Sequence, residues 1–152
     1  MGQFFEYEMT VDSRDVDGWG RCRPSAVLGY LQEAATLAAE DGGFGREKTL
    51  EYHAFWMLAR IWFRLDRPLR WEEKVTVRTW HRGDKGASMY RDFDLFRDGE
   101  RVGEAVSVWV LADLALLGYL ACACSLLAQK AFLIPKRRTA VLPIILVAAA
   151  GA

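Results

Sequence analysis

A single long helical pattern followed by four strand-like runs is the feature that most limits how this chain can fold. Over residues 24–40, PSAVLGYLQEAATLAAE places Val27, Leu28, Leu31, Ala34, Ala35 and Ala38 on one face at the 3.6-residue period. Pro24 suits the first turn of such a helix, where its missing N–H costs nothing, and Gly42 and Gly43 supply a stop. The segment is rich in alanine and its only charged residues are Glu33 and Glu40. A helix of that kind is wrapped by other structure on most sides, and the runs that follow it point to a sheet as the wrapping.

Residues 4–11 read as a first strand, with Phe5, Tyr7, Met9 and Val11 alternating against polar neighbours. After the connector FGREKTLEYH come AFWMLARIWFRL (54–65), EKVTVRTWHR (73–82), SMYRDFDLFRD (88–98) and RVGEAVSVWVLAD (101–113). In 88–98 the alternation of Met89, Asp92 and Asp94 with Tyr90, Phe93 and Leu95 is loose, which a β-bulge explains. GDKG and RDGE have the composition of hairpin turns. Strand, long helix and a four-stranded antiparallel meander make an α+β architecture: one five-stranded antiparallel sheet with one helix lying across it.

At 152 residues the length suits one domain with a substantial core. The formal net charge of zero gives no field to recruit nucleic acid or an anionic membrane. Six Trp, eight Phe and five Tyr imply large apolar surfaces to bury, in a core or against an apolar ligand. Three cysteines, Cys22, Cys122 and Cys124, suggest reduced thiols and a cytoplasmic setting, and MGQFFEYEM has no secretory h-region. No constellation of metal ligands is present, the only histidines are His53 and His81, and asparagine is absent.

The text changes at Leu114. Residues 1–113 hold 16 basic and all 20 acidic side chains, whereas the apolar extension 114–152 holds 4 basic and no acidic ones. Its longest uncharged stretch, 114–129, is 16 residues, short of the ~20 that a spanning helix needs. The expectation is a short helix over 116–130 packed loosely on the domain or on a partner, then a mobile basic turn and an apolar end, without membrane insertion.

The order of elements, together with RPSAVLGYLQEAA, RPLRWEEKVTVRTWHRG, MYRDFDLF and VSVWVLAD, resembles the N-terminal half of an acyl-ACP thioesterase. The resemblance covers residues 4–113 and implies a single hotdog domain, its long central helix wrapped by the sheet. It also implies hydrolysis of acyl thioesters without a cofactor, releasing fatty acid from acyl carrier protein or coenzyme A. Members of this family carry two hotdog repeats packed as a pseudo-dimer. The first is associated with acyl-chain recognition, and the second carries a D-x-D-x-N-x-H motif at the helix entrance. Laid on DVDGWGRC, that motif puts Asp15 and Asp17 on its aspartates, Trp19 where its asparagine falls and Arg21 where its histidine falls. A second repeat does not fit after Asp113, so the resemblance implies a homodimer. A divergent end, a truncation or a disturbed reading frame would account for the tail, and its abrupt loss of acids and Trp favours the last two. The rival reading is a non-catalytic acyl-binding or remnant domain.

Thioester hydrolysis needs a carbonyl polariser, which a helix N-terminus supplies, and a group that attacks or activates water. Asp17 is the candidate carboxylate for the second role; otherwise Asp15 and Asp17 end the strand and favour the helix N-terminus. Trp19, Arg21, Glu33, Trp56 and Trp80 are the candidate substrate-binding residues. Glu33 either faces a ligand tunnel or pairs with Arg60, Arg64 or Arg91. His53 and His81 read as solvent-facing and Cys22 as a small core residue.

Overall fold

The computed structural model describes residues 4–115. Helix α1 (Pro24–Asp41) buries Val27, Leu31, Ala34 and Ala35, the stripe expected from its period. Arg23 stands at its N-cap without a side-chain hydrogen bond, and the Gly42 N–H closes its last turn on the Ala38 carbonyl. The strands are β1 (Phe5–Thr10), β2 (Ala54–Leu65), β3 (Lys74–Lys85), β4 (Ser88–Arg97) and β5 (Glu100–Asp113). They form one antiparallel sheet in the order β1-β3-β4-β5-β2. This is the α+β architecture read from the order of elements, and the hotdog fold that the family resemblance implies.

Alternation decides what meets the helix. Val75, Val77 and Thr79 of β3, Phe93 and Leu95 of β4, and Ala105 and Trp109 of β5 are buried, and the apolar ones join Val27, Leu31 and Ala34 in one core. Phe93, Leu31, Leu69 and Leu95 are its largest fully enclosed side chains, each worth roughly 1.5–3 kcal/mol of burial. No helix among the described residues is long and apolar enough to cross a membrane.

Three local expectations are corrected. The connector contains a second helix, α2 (Arg46–Glu51), too short to show a period. GDKG is not the first hairpin turn. The β3–β4 register shifts between His81 and Gly83, which takes up a residue, so β3 runs on to Lys85 and the chain reverses at Gly86–Ala87. β4 itself carries no extra residue: the break in its pairing with β5, between Leu95 and Phe96, leaves Val102 of β5 unpaired. RDGE does turn, with Asp98 at φ 50° and Gly99 at φ 79°, the left-handed pair that matches the twist of a two-residue hairpin. The extension 114–152 and its expected helix lie, beyond Ala115, outside the described residues.

Candidate functional site

The DVDGWGRC segment folds into a tight loop ahead of α1. The Asp17 N–H donates to the Arg21 carbonyl at 2.8 Å and the Gly20 N–H to the Asp17 carbonyl at 3.0 Å. Gly20 takes φ 70°, which a glycine adopts without strain. The Asp17 carboxylate fills the inside of this loop. Its Oδ1 accepts the N–H groups of Trp19 (2.9 Å) and Arg21 (3.0 Å), and its Oδ2 accepts Arg21 Nε at 3.0 Å. The Arg21 backbone N–H, with further help from Trp19 and the guanidinium, holds this carboxyl below the usual carboxylate range. Asp17 is therefore ionised at neutral pH, with three of its acceptor positions in use.

Asp15 is engaged differently. Its Oδ2 accepts the Tyr30 hydroxyl at 2.7 Å, and Tyr30 also lies 3.9 Å from the Cys22 sulfur. Burial, then the bond to Asp15, pushes the Tyr30 hydroxyl well up, and burial pushes the Cys22 thiol up. Neither aspartate bonds a first-turn N–H of α1; those of Ala26 and Val27 go to the Arg23 carbonyl. The pair therefore does not cap the helix by hydrogen bonds. Asp17 closes its own loop, and Asp15 bolts that loop to Tyr30 on the helix.

The large cavity lies at the other end of α1, about 20 Å away at 1.5 Å per residue. It has a volume of about 610 Å³. Ala38 and Ala39 form its roof, and because they present only methyl groups, space remains between helix and sheet. Phe5, Phe44, Trp56 and Met89 make apolar walls, with the Trp56 indole N–H fixed on the Phe44 carbonyl at 3.0 Å. The floor is polar. Thr79 and Arg91 line it, both buried, and Ser107 of β5, paired with Arg91, is buried beside them outside the lining. The Thr79 hydroxyl donates to the Asp92 carbonyl at 2.9 Å, and Trp109 Nε1 donates to Ser107 Oγ at 2.7 Å. Arg91 Nη1 reaches Thr79 Oγ1 at 3.3 Å, and burial lowers the pKa of its guanidinium.

The candidate binding residues thus fall in three places. Trp56 and Trp80 line the cleft. Trp19 is 76% exposed, with the Arg21 guanidinium 5.0 Å over its ring, and both stay with Asp17 at the far end of the helix. Glu33 is exposed on the outer side of α1 and makes no ion pair with Arg60, Arg64 or Arg91 among the described residues, which corrects both expectations for it. His81, at the rim of the cleft, bonds Asp84 at 2.9 Å. Among the described residues no group of three or more His, Cys, Asp or Glu could hold a metal ion. Sequence reasoning missed Arg91 as a cleft residue. Its signal is the phase of β4: Arg91, Phe93 and Leu95 share one face, so an arginine occupies an inward position.

The Acyl-ACP thioesterase N-terminal domain family matches residues 2–115. The chloroplastic acyl-(acyl-carrier-protein) hydrolase FATB2 of Cuphea viscosissima is 27% identical over 121 residues, covering 74% of this chain and 29% of that protein. The structure of an acyl-ACP thioesterase from Bacteroides thetaiotaomicron superposes with a TM-score of 0.70 at 29% identity, over 73% of this chain and 46% of that one. A probable thioesterase from Bartonella henselae shares the fold, with a TM-score of 0.67 at 16% identity over 73% of this chain and 93% of that one. The chain therefore spans less than a third of the curated relative and less than half of the Bacteroides protein.

Proposed function

The chain belongs to the acyl-ACP thioesterase family, and on that premise we propose that it serves the hydrolysis of fatty acyl thioesters of acyl carrier protein or coenzyme A, its own contribution being the acyl-binding cleft. The cleft carries this reading: about 610 Å³ between α1 and the sheet, walled by aromatic side chains and roofed by alanines. An acyl chain lying there buries its methylenes against Trp56 and Phe44, and Trp80 adds to the wall. Titration with acyl thioesters, followed by tryptophan fluorescence, tests it. Binding should strengthen with chain length up to a limit, and Trp56→Ala should weaken every member of the series. Binding indifferent to both would end the proposal.

A second reading has this chain turn over thioesters by itself through Asp17, which is ionised and close to the start of α1. To act it must give up the Arg21 guanidinium. Turnover that is present in the wild type and lost in Asp17→Asn, with binding retained, would favour this reading. Turnover unchanged by that substitution removes Asp17 from the chemistry.

The sheet also bears on assembly. Among the described residues β2 pairs only with β5 and β1 only with β3, leaving two edges open to another strand. Met57 and Trp62 on β2 are exposed. A second hotdog, supplied as another copy of this chain, would cover such an edge, and light scattering at micromolar concentration should then give a homodimer. A cytoplasmic setting accords with Cys22 as a buried free thiol.

A further inference from the structure

We infer that the floor of the cleft is a carboxylate site: Arg91 holds the carboxylate of an alkyl chain that lies against Trp56, Phe44 and Met89. The inference rests on the acyl-cleft reading for those walls and adds the charged end of the ligand. Arg91 is 8% exposed. The one hydrogen bond of its guanidinium to a described residue is the 3.3 Å contact with Thr79, although a guanidinium carries five N–H donors in a planar fork. Every acidic side chain of the sequence lies between Glu6 and Asp113, within the described residues, and none forms an ion pair with Arg91. The acids nearest in the fold are occupied elsewhere or face water. Asp92 stands 3.5 Å from Arg82 on the opposite face of β4, Asp84 bonds His81 at the rim, and Asp41 is an exposed rim residue.

A desolvated guanidinium without a counter-ion is costly, and a plain alkyl chain laid over it adds desolvation without adding an acceptor. A carboxylate reverses that balance, because it accepts two parallel N–H bonds and neutralises the charge. Beside Thr79, then, the cleft takes a chain that ends in a carboxylate. Two sources offer one: the free fatty acid that thioester hydrolysis releases, or the distal carboxylate of a dicarboxylic acyl group.

Titrations of the full chain with decanoate and with methyl decanoate, read by tryptophan fluorescence or calorimetry, test the site. Decanoate should bind at least about tenfold more tightly than the ester. Arg91→Met should erase that ratio while still binding the ester, and Arg91→Lys, which keeps the charge but not the fork, should retain part of it. Equal affinity of acid and ester in the wild type, or a ratio that survives in Arg91→Met, overturns the inference. If the ester binds no variant, the acyl-cleft reading fails first; if it binds and the acid gains nothing, only the carboxylate site fails. Decanoyl-CoA and the mono-CoA thioester of decanedioate separate the sources. Tighter binding of the second puts a distal carboxylate on Arg91, and tighter binding of decanoate than of either puts the released acid there.

Discussion

Replacing Ala38 with leucine should shorten the acyl chain that the cleft accepts. Ala38 lies on the half-buried side of α1 and forms part of the cleft roof. Leucine is nearly as good a helix former as alanine, so the change acts on the cavity and leaves the helix alone. It adds ~3 methylene equivalents to the roof, and a ligand that loses contact with as many of its own methylenes gives up ~0.8 kcal/mol for each. The longest chain that fits the wild type should therefore lose ~2.4 kcal/mol, or about 60-fold in affinity. A chain shorter by two or three carbons should bind almost as before. The assay is an even-numbered series of saturated acyl thioesters, measured for binding and, where present, turnover, with urea unfolding as a control for the fold. An optimum moved to shorter chains is the expected outcome. A uniform loss across the series, or an unchanged profile in a folded variant, would refute the placement of the chain beneath Ala38.

Tyr30→Phe removes the hydroxyl that donates to Asp15 at 2.7 Å; denaturant unfolding should show a loss of about 1.5–3 kcal/mol, as for a hydrogen bond to a charged acceptor. Asp92 is poorly matched to its site: its Oδ1 is enclosed without a hydrogen bond among the described residues, Arg82 lies 3.5 Å away, and burial raises its pKa. A raised folded-state pKa gives stability that is fully present below the ordinary carboxylate value and lost as pH rises through the folded value. Asp92→Asn should thus gain about 1 kcal/mol near neutral pH, and the gain should vanish in acid; thermal melts across pH read both. At Gly103 a Cβ would stand 2.7 Å from the Arg64 carbonyl oxygen and 2.7 Å from Leu65 Cδ2. Gly103→Ala should destabilise by about 1–3 kcal/mol in equilibrium unfolding, and a neutral result would mean that β2 and β5 separate readily.

What the sequence discloses and what it withholds follow from how each element is stabilised. The central helix and all five strands show in the text because each buries a face, and burial writes its period into the residues. α2 has six residues and buries only Thr49, so no period betrays it. The hairpin after β3 is displaced because the shift between His81 and Gly83 absorbs a residue, an event that composition does not mark. Arg91 is hidden by its chemistry, since a charged residue within a strand is ordinarily taken to face water. Inward and outward are reversed by one residue of register, and until Phe93 and Leu95 are known to face α1, Arg91 reads as another surface charge. Asp17 is the opposite case. D-x-D-G-x-G is legible as a turn before any coordinates, because an aspartate reaches back to the N–H groups two and four residues on. The cleft needs Ala38 and Arg91 to meet across the whole fold, and no local pattern contains that.

The order of strands also sets a timetable. β3, β4 and β5 are consecutive and joined by tight turns at Gly86–Ala87 and Asp98–Gly99, so their pairing needs only short loops to close. β2 precedes all three in the chain yet pairs only with the last, Ala54 against Asp113 and Leu65 against Gly103. Closing that long loop comes late, because its entropy must be overcome before its contacts reward it. During synthesis AFWMLARIWFRL therefore emerges well before its partner and waits unpaired, an apolar, β-prone segment of the kind that draws other chains to itself. Arg60 and Arg64 are exposed along it, and the register breaks between Leu58 and Arg60. Cations along an unpaired strand discourage it from pairing with a stranger, so Arg60 and Arg64 guard the chain most in the interval before β5 exists, and the bulge takes over once β5 has paired.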